Sequence, residues 1–244
     1  MTPKVKQRLR DFGRRAGLEI RLSGPNSRDD LRLLHFLHLK EIDTVLDVGA
    51  NNGGFAKMLL AAGFKGQIIS FEPLPGAHTA LTAAAKAVEN WSVAPRLALS
   101  DENGTANFNI TKGDTSSSLL EPSDSFVSDT PHVEVSEVIE VPTRRLDDLE
   151  GITFEPSRTL LKLDVQGGEA KVLGGGETSL QSMAGILTEM SLIPLYVGQP
   201  NWIAIDQIIN RYGFEIWDVW PGYRSPNTRR LTQIDGLYFR WASS

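Results

Sequence analysis

Cysteine is absent from the 244-residue chain, which excludes disulfides, thiolate metal sites and cysteine nucleophiles. Long apolar runs are missing too. The longest uncharged stretch, residues 190–205, contains Pro194, Gln199, Pro200 and Asn201 and is too short and polar to span a membrane. The N-terminus has no apolar signal core, so cytoplasmic residence is the expectation. The formal net charge of -5 gives no global attraction to nucleic acid, and no nucleic-acid partner is expected. Histidine is scarce. His35 and His38 sit three apart with no third ligand nearby and read as packing residues, while His78 and His132 read as surface residues.

What is present suits one globular α/β domain: 41% of residues are hydrophobic and 23% charged, enough for a full core. The first residues stand apart. Lys4, Lys6, Arg8, Arg10, Arg14 and Arg15 face one acid, Asp11, and Val5, Leu9, Phe12 and Ala16 recur at helical spacing. Residues 1–26 therefore read as a basic tail that either packs as a solvated helix or touches an anionic surface. Residues 27–244 read as the domain.

Within it, strands and helices alternate. A helix starts near Ser27. Then come a strand at 44–48, a helix at 54–62 capped by Gly63, a strand at 67–71, a helix at 77–88 and a third strand at 93–99. Residues of about 103–158 break the rhythm. Two alternating segments (105–110, 132–141) flank a Ser/Asp/Pro-rich stretch, which reads as a β-rich insertion carrying a mobile loop. The pattern resumes with strands at 159–165 and 185–190, a helix at 202–212, and two final strands at 214–219 and 236–241. The expected fold is a doubly wound, seven-stranded, mostly parallel sheet of Rossmann-like type, with the insertion after the third strand.

The first strand runs into V45-L-D-V-G-A-N-N-G-G-F55. Gly49 and Gly53 permit tight turns and close approach of a ligand. No Lys-Ser/Thr pair follows, which disfavours a Walker phosphate loop, and the G-x-x-x-G spacing departs from the dinucleotide fingerprint. Asp47 ends the strand, where it can order the loop or meet a ligand ammonium. Glu72 and Pro73 end the second strand, and an acid there can bind a ribose diol. Ser100 and Asp101 follow the third, within reach of an adenine amino group. Acids at the carboxyl ends of successive strands fit the ligand-binding edge of an open α/β sheet.

With these segments go SFEP (70–73), ALSDENGTANF (98–108), VPTRRLDDL (141–149), LLKLDVQGGEAKVLGGG (160–176) and LTEMS (187–191). Their order, and K-x-D-V-x-G-x-E above all, resembles the FkbM family of S-adenosylmethionine (SAM)-dependent methyltransferases across residues of about 30–240. The resemblance implies a class I methyltransferase fold, O-methylation of a hydroxyl on a small molecule (a sugar, a polyketide or another secondary metabolite), and SAM contacts at Gly49, Asn51, Glu72 and Asp101. The family commonly has Glu where this chain has Gln166, which raises the alternative of a catalytically silent SAM-binding or scaffold protein. A loop-structuring role for the residue is the other reading.

A hydroxyl is a poor nucleophile, so a base or a metal should help remove its proton. Asp164 ends the fourth strand and is the expected primary acid. Glu189 on the fifth strand and Glu169 in the following helix are expected to support it. Asp164 and Glu189 are also the ligands to consider for an optional Mg²⁺. For the acceptor, Ser117 in the insertion and Tyr196 and Trp202 after the fifth strand are the candidates. Trp217 shares a strand face with Val219 and reads as core.

Overall fold

Along each central strand, neighbouring residues point to opposite faces, and here both faces are buried. This computed structural model describes residues 24–113 and 115–240, together with Gln7 and Phe12. Most of the basic tail expected at 1–26 lies outside the described residues. Strands β1 (Thr44–Val48), β2 (Gln67–Phe71), β3 (Trp91–Val93), β7 (Thr159–Leu163), β8 (Gly185–Ser191), β9 (Phe214–Pro221) and β10 (Gln233–Arg240) form one sheet in the order β3-β2-β1-β7-β8-β10-β9. Its first five strands run parallel, and β10 is antiparallel to both β8 and β9. That is the expected α/β architecture with a terminal hairpin.

Helices cover both faces. Val45, Ile68 and Leu160 pack with Leu33 and Leu37 of α1 (Asp29–Leu39), Leu59 of α2 (Gly54–Ala62) and Leu81 of α3 (Pro75–Ala85). Leu46, Ile69 and Leu161 pack oppositely, with Val172 and Leu173 of the helix Glu169–Gly174 and with Ile205 and Ile209 of the helix Trp202–Asn210. Each such side chain contributes about 1.5–3 kcal/mol on leaving water. Gly63 ends α2 at φ 111°, in the left-handed region that favours glycine.

The third strand differs from expectation. Only Trp91–Val93 joins the sheet, and Ala94 donates one more bond to the Ser70 carbonyl. Pro95 has no N–H to continue the ladder. The chain turns away, and Ala98–Leu99 (β4) pairs in a second sheet of order β4-β6-β5, with β5 spanning Gly104–Thr111 and β6 spanning Val135–Arg144. This sheet is the β-rich insertion. The segment between β5 and β6 is packed: it holds the short helix Asp124–Asp129, and Phe126 and Val133 are buried with Leu195 and Tyr196. The β9–β10 register slips opposite Leu237 and Tyr238, so Trp217 packs edge-on against Phe36 and Phe239 while Val219 is exposed. The bulge separates two residues that alternation alone would place together. Among the described residues no helix is long and apolar enough to cross a membrane.

Candidate active site

Beyond β1 the backbone turns back at Gly49, φ 75°, and an added Cβ would lie 1.9 Å from the Asp164 carbonyl oxygen. Only glycine lets the tips of β1 and β7 approach so closely. Asn51 is also left-handed, at φ 48°, which asparagine tolerates better than most residues. Glu72 fixes this turn. Its Oε2 accepts from the Asn51 N–H at 2.7 Å and its Oε1 from the Leu74 N–H at 2.9 Å. Burial raises the Glu72 pKa, and those two N–H groups work against the rise. Gly53 serves packing, since a Cβ there would lie 2.5 Å from the Trp91 ring.

Beneath the turn a polar row crosses the apolar sheet. Trp91 Nε1 donates to Ser70 Oγ (2.9 Å), Ser70 Oγ donates to Asp47 Oδ2 (3.2 Å), and Lys162 Nζ lies 3.0 Å from Asp47 Oδ1. Strand register puts Ser70 and Lys162 directly beside Asp47 on either side. Asp47 is 0% exposed, so it organises the loop from below and does not reach into the cavity. Lys162 is 6% exposed; it opens the K-x-D-V-x-G-x-E segment, but residue order alone gives it no role in the site. Burial pulls its pKa down, but Asp47 and then Asp164 more than offset this, leaving it raised.

The expected acids divide into three roles. Asp164 keeps a 43% exposed side chain facing the cavity. Glu189 accepts from Gln233 Nε2 at 2.6 Å and Gln166 Nε2 at 3.3 Å. Its pKa is pushed well up, first by burial and then by Asp164, Glu169 and Asp235. Glu169 is a correction to the expected convergence on Asp164. At 2% exposed, it turns back so that Oε1 accepts from the N–H groups of Val165 (3.1 Å) and Gly167 (3.2 Å). Burial raises its pKa to about 7. Gln166, at φ 55°, donates Nε2 to Asp164 Oδ1 at 2.7 Å, and its backbone oxygen accepts from Ser118 Oγ at 2.7 Å. Asp164 and Glu189 thus meet the same amide. Among the described residues no group of three His, Asp or Glu side chains is arranged to hold a metal ion, and Mg²⁺ finds no support.

A cavity of about 280 Å³ joins these parts. Gly49, Asn51, Glu72 and Pro73 line it together with Lys162, Asp164 and Gln166, and Leu97, Leu99 and Phe108 form an apolar wall. Thr115, Ser117 and Leu119 of the insertion cover it. Ser117 is thus placed as expected, with its hydroxyl accepting from the Thr111 N–H at 3.1 Å.

Four further candidates are not on the wall. Ser100 and Asp101 follow β4, outside the main sheet. The Asp101 side chain takes the Ser100 hydroxyl at 2.9 Å and Lys171 Nζ at 3.5 Å. Although partial burial works the other way, these contacts hold its carboxyl below the usual range. Tyr196 is buried, its ring against Phe126 and its hydroxyl 2.9 Å from both the Ser116 carbonyl and Gln166 Oε1. It braces the covering segment from behind. Trp202 opens its helix at 38% exposed, away from the cavity lining. His78 Nε2 lies 2.9 Å from the Ala94 carbonyl, a tie between α3 and the end of β3.

The sequence matches the methyltransferase FkbM domain over residues 47–216, more than half of the chain. The chain belongs to the FkbM methyltransferase family. Among relatives of this SAM-dependent methyltransferase, it is 33% identical over 207 residues to the 2-O-methyltransferase NoeI of Sinorhizobium fredii, covering 80% of each chain. It is 28% identical over 163 residues to the hexuronic acid methyltransferase AglP of Haloferax volcanii, covering 67% of this chain and 62% of that one. Among solved structures, TehB of Haemophilus influenzae aligns with a TM-score of 0.47 at 9% identity, over 86% of this chain and 62% of that one.

Proposed function

We propose that this FkbM-family methyltransferase transfers a methyl group from SAM to a hydroxyl oxygen of a saccharide. The observation that carries the reading is one cavity lined both by the glycine turn with Glu72 and by the exposed carboxyl of Asp164. The two relatives, one named for a 2-O-methyl transfer and one for a hexuronic acid, support a sugar acceptor.

The residues present fit SAM. Glu72 offers carboxyl lone pairs to a ribose diol, Leu97, Leu99 and Phe108 offer apolar surface to a base, and Asp164 offers a carboxyl to the cationic end. SAM supplies an activated methyl on a sulfonium sulfur. For the acceptor, Asp164 does the proton chemistry: Oδ1 is held by the Gln166 amide, which leaves Oδ2 to receive the hydroxyl proton as the oxygen–methyl bond forms. The Gln166 bond fixes the carboxyl's orientation, and Thr115, Ser117 and Leu119 wall the same cavity, with Ser118 tied to the Gln166 carbonyl.

Incubation of the protein with SAM and a panel of neutral and uronic oligosaccharides, followed by mass spectrometry of the products, tests the reading. The expected product is a methyl ether on one ring position together with S-adenosylhomocysteine. Tight S-adenosylhomocysteine binding without transfer to any saccharide would point to the silent-binder alternative.

A further inference from the structure

Among the described residues lining the cavity, Lys162 is the one cation. Its place is unusual, because it shares a wall with the site of a cationic methyl donor. Its own contacts account for it. Besides Asp47 at 3.0 Å, Nζ lies 3.1 Å from the Gly49 carbonyl oxygen, 3.4 Å from that of Val48 and 3.8 Å from Asp164 Oδ2. The Phe55 ring, on the first turn of α2, stands 5.5 Å away. The ammonium therefore touches both carbonyls at the point where β1 becomes the glycine turn, together with the acid at the tip of β7.

Fold stability does not explain such a pair. Withdrawing two charges from water into a sheet costs several kcal/mol each, and replacing a buried ion pair with apolar residues is often neutral or stabilising. On the same face two positions earlier, Val45, Ile68 and Leu160 show that the sheet accepts apolar side chains readily. What an apolar pair could not do is hold two carbonyl oxygens down. Val48 O also accepts from the Asp164 N–H at 3.1 Å, so the same carbonyl links the turn to the acid.

We propose that Lys162 is a positioning residue for methyl transfer. It draws the Val48 and Gly49 carbonyls toward the sheet, so the next residues of the turn face the donor and Asp164 stays at a fixed distance from it. Asp47 is its countercharge, anchored in turn through Ser70 and Trp91. The role concerns donor binding and is independent of the acceptor's identity.

The test uses the full chain, with thermal unfolding and calorimetric titration of S-adenosylhomocysteine on three proteins: wild type, Lys162→Met and Asp47→Val/Lys162→Met. The single variant leaves Asp47 buried without its cation, so it should be the least stable and bind weakly. The double variant removes both charges and should recover a melting point near the wild type's. It should still bind S-adenosylhomocysteine at least about tenfold more weakly, the effect of losing roughly 1.4 kcal/mol of ordered contacts. A purely structural pair would restore binding along with the fold. Wild-type affinity in either variant overturns the proposal. So does a double variant that fails to fold, since the pair would then be holding the sheet together.

Discussion

Gln166 Nε2 lies 2.7 Å from Asp164 Oδ1 and 3.3 Å from Glu189 Oε2, so one neutral amide bridges two acids. Its Oε1 meets the Tyr196 hydroxyl at 2.9 Å, which ties the bridge to the covering segment through Ser116. A glutamate here would place a third carboxyl in the cluster and lose the donor. Gln166→Glu should destabilise the protein by about 1–3 kcal/mol near neutral pH, where repulsion and a lost charge-assisted bond add, and by less in mild acid. Thermal melts of both proteins across pH measure this, and equal stability at all pH values would deny the amide its bridging role.

Asp164→Asn tests the proposed base. An asparagine keeps the shape and the bond to Gln166 but gives up the charge offered to the donor's cationic end, so S-adenosylhomocysteine affinity should fall by about tenfold and transfer is compared at saturating SAM. Transfer to a hydroxyl should fall by about 10²-fold or more, in line with loss of general base catalysis. Single-turnover rates with a saccharide acceptor read the effect. A nearly unchanged rate would place the proton elsewhere, or make the acceptor a carboxylate, which has no proton to lose.

Much of this arrangement is legible in residue order. The helix at 54–62 and the strands at 44–48 and 67–71 can be read to the residue, because glycines and apolar alternation mark their ends. Glu72 stands out because an acid follows a clean strand. Asp101 falls away from the cavity because Pro95 diverts the chain, and distance along the sequence does not say which sheet a two-residue strand will join. Lys162 is hidden for another reason. Its place at the head of K-x-D-V-x-G-x-E gives it no role, and only the register pairing with Asp47 shows that two unlike charges face each other in the core. That both lie one residue before the last position of their strands is the signal available. Tyr196 resembles an acceptor contact because loops carry specificity, but burial against Phe126 makes it a brace.

Glu72 accepts two backbone N–H bonds and shapes the turn that carries Asn51. Glu72→Ala should therefore weaken SAM binding by about 10–100-fold, counting the lost ribose contact and the loosened turn. Glu72→Gln, which keeps one acceptor oxygen and the side-chain shape, should lose less. Calorimetric dissociation constants for both decide it, and an unchanged value for the alanine variant would remove Glu72 from the donor site.

Glu169 gives a pH signature. Its carboxyl titrates near pH 7 when folded, against an ordinary value of 4.5. Between those values the folded chain holds a proton that the unfolded chain has released, so stability falls as pH rises through this window. The contribution is intact below the ordinary value and gone above the folded one, a loss of roughly 3 kcal/mol for a group this buried. Asp235, raised to about 6 chiefly by burial, adds to the same trend. Glu169→Gln keeps an oxygen for the Val165 and Gly167 N–H groups and cannot ionise, so chemical denaturation of that variant should show a visibly flatter profile from about pH 5 to pH 8. A profile as steep as wild type's would assign the dependence to other groups.

The chain departs from the main sheet at Pro95 and rejoins it at Thr159, and what it builds in between rests over the cavity as a separate small sheet. On the proposed reading the excursion serves both substrates: Leu97, Leu99 and Phe108 offer surface to the donor's base, and Ser117 stands as the acceptor candidate. Beyond those three residues, an excursion of this kind can be rewritten, lengthened or exchanged between relatives without disturbing the machinery that handles the methyl group. A chimera that trades residues 109–145 with a related enzyme, leaving Leu97, Leu99 and Phe108 in place, should inherit the guest's preference while keeping the host's hold on its cofactor.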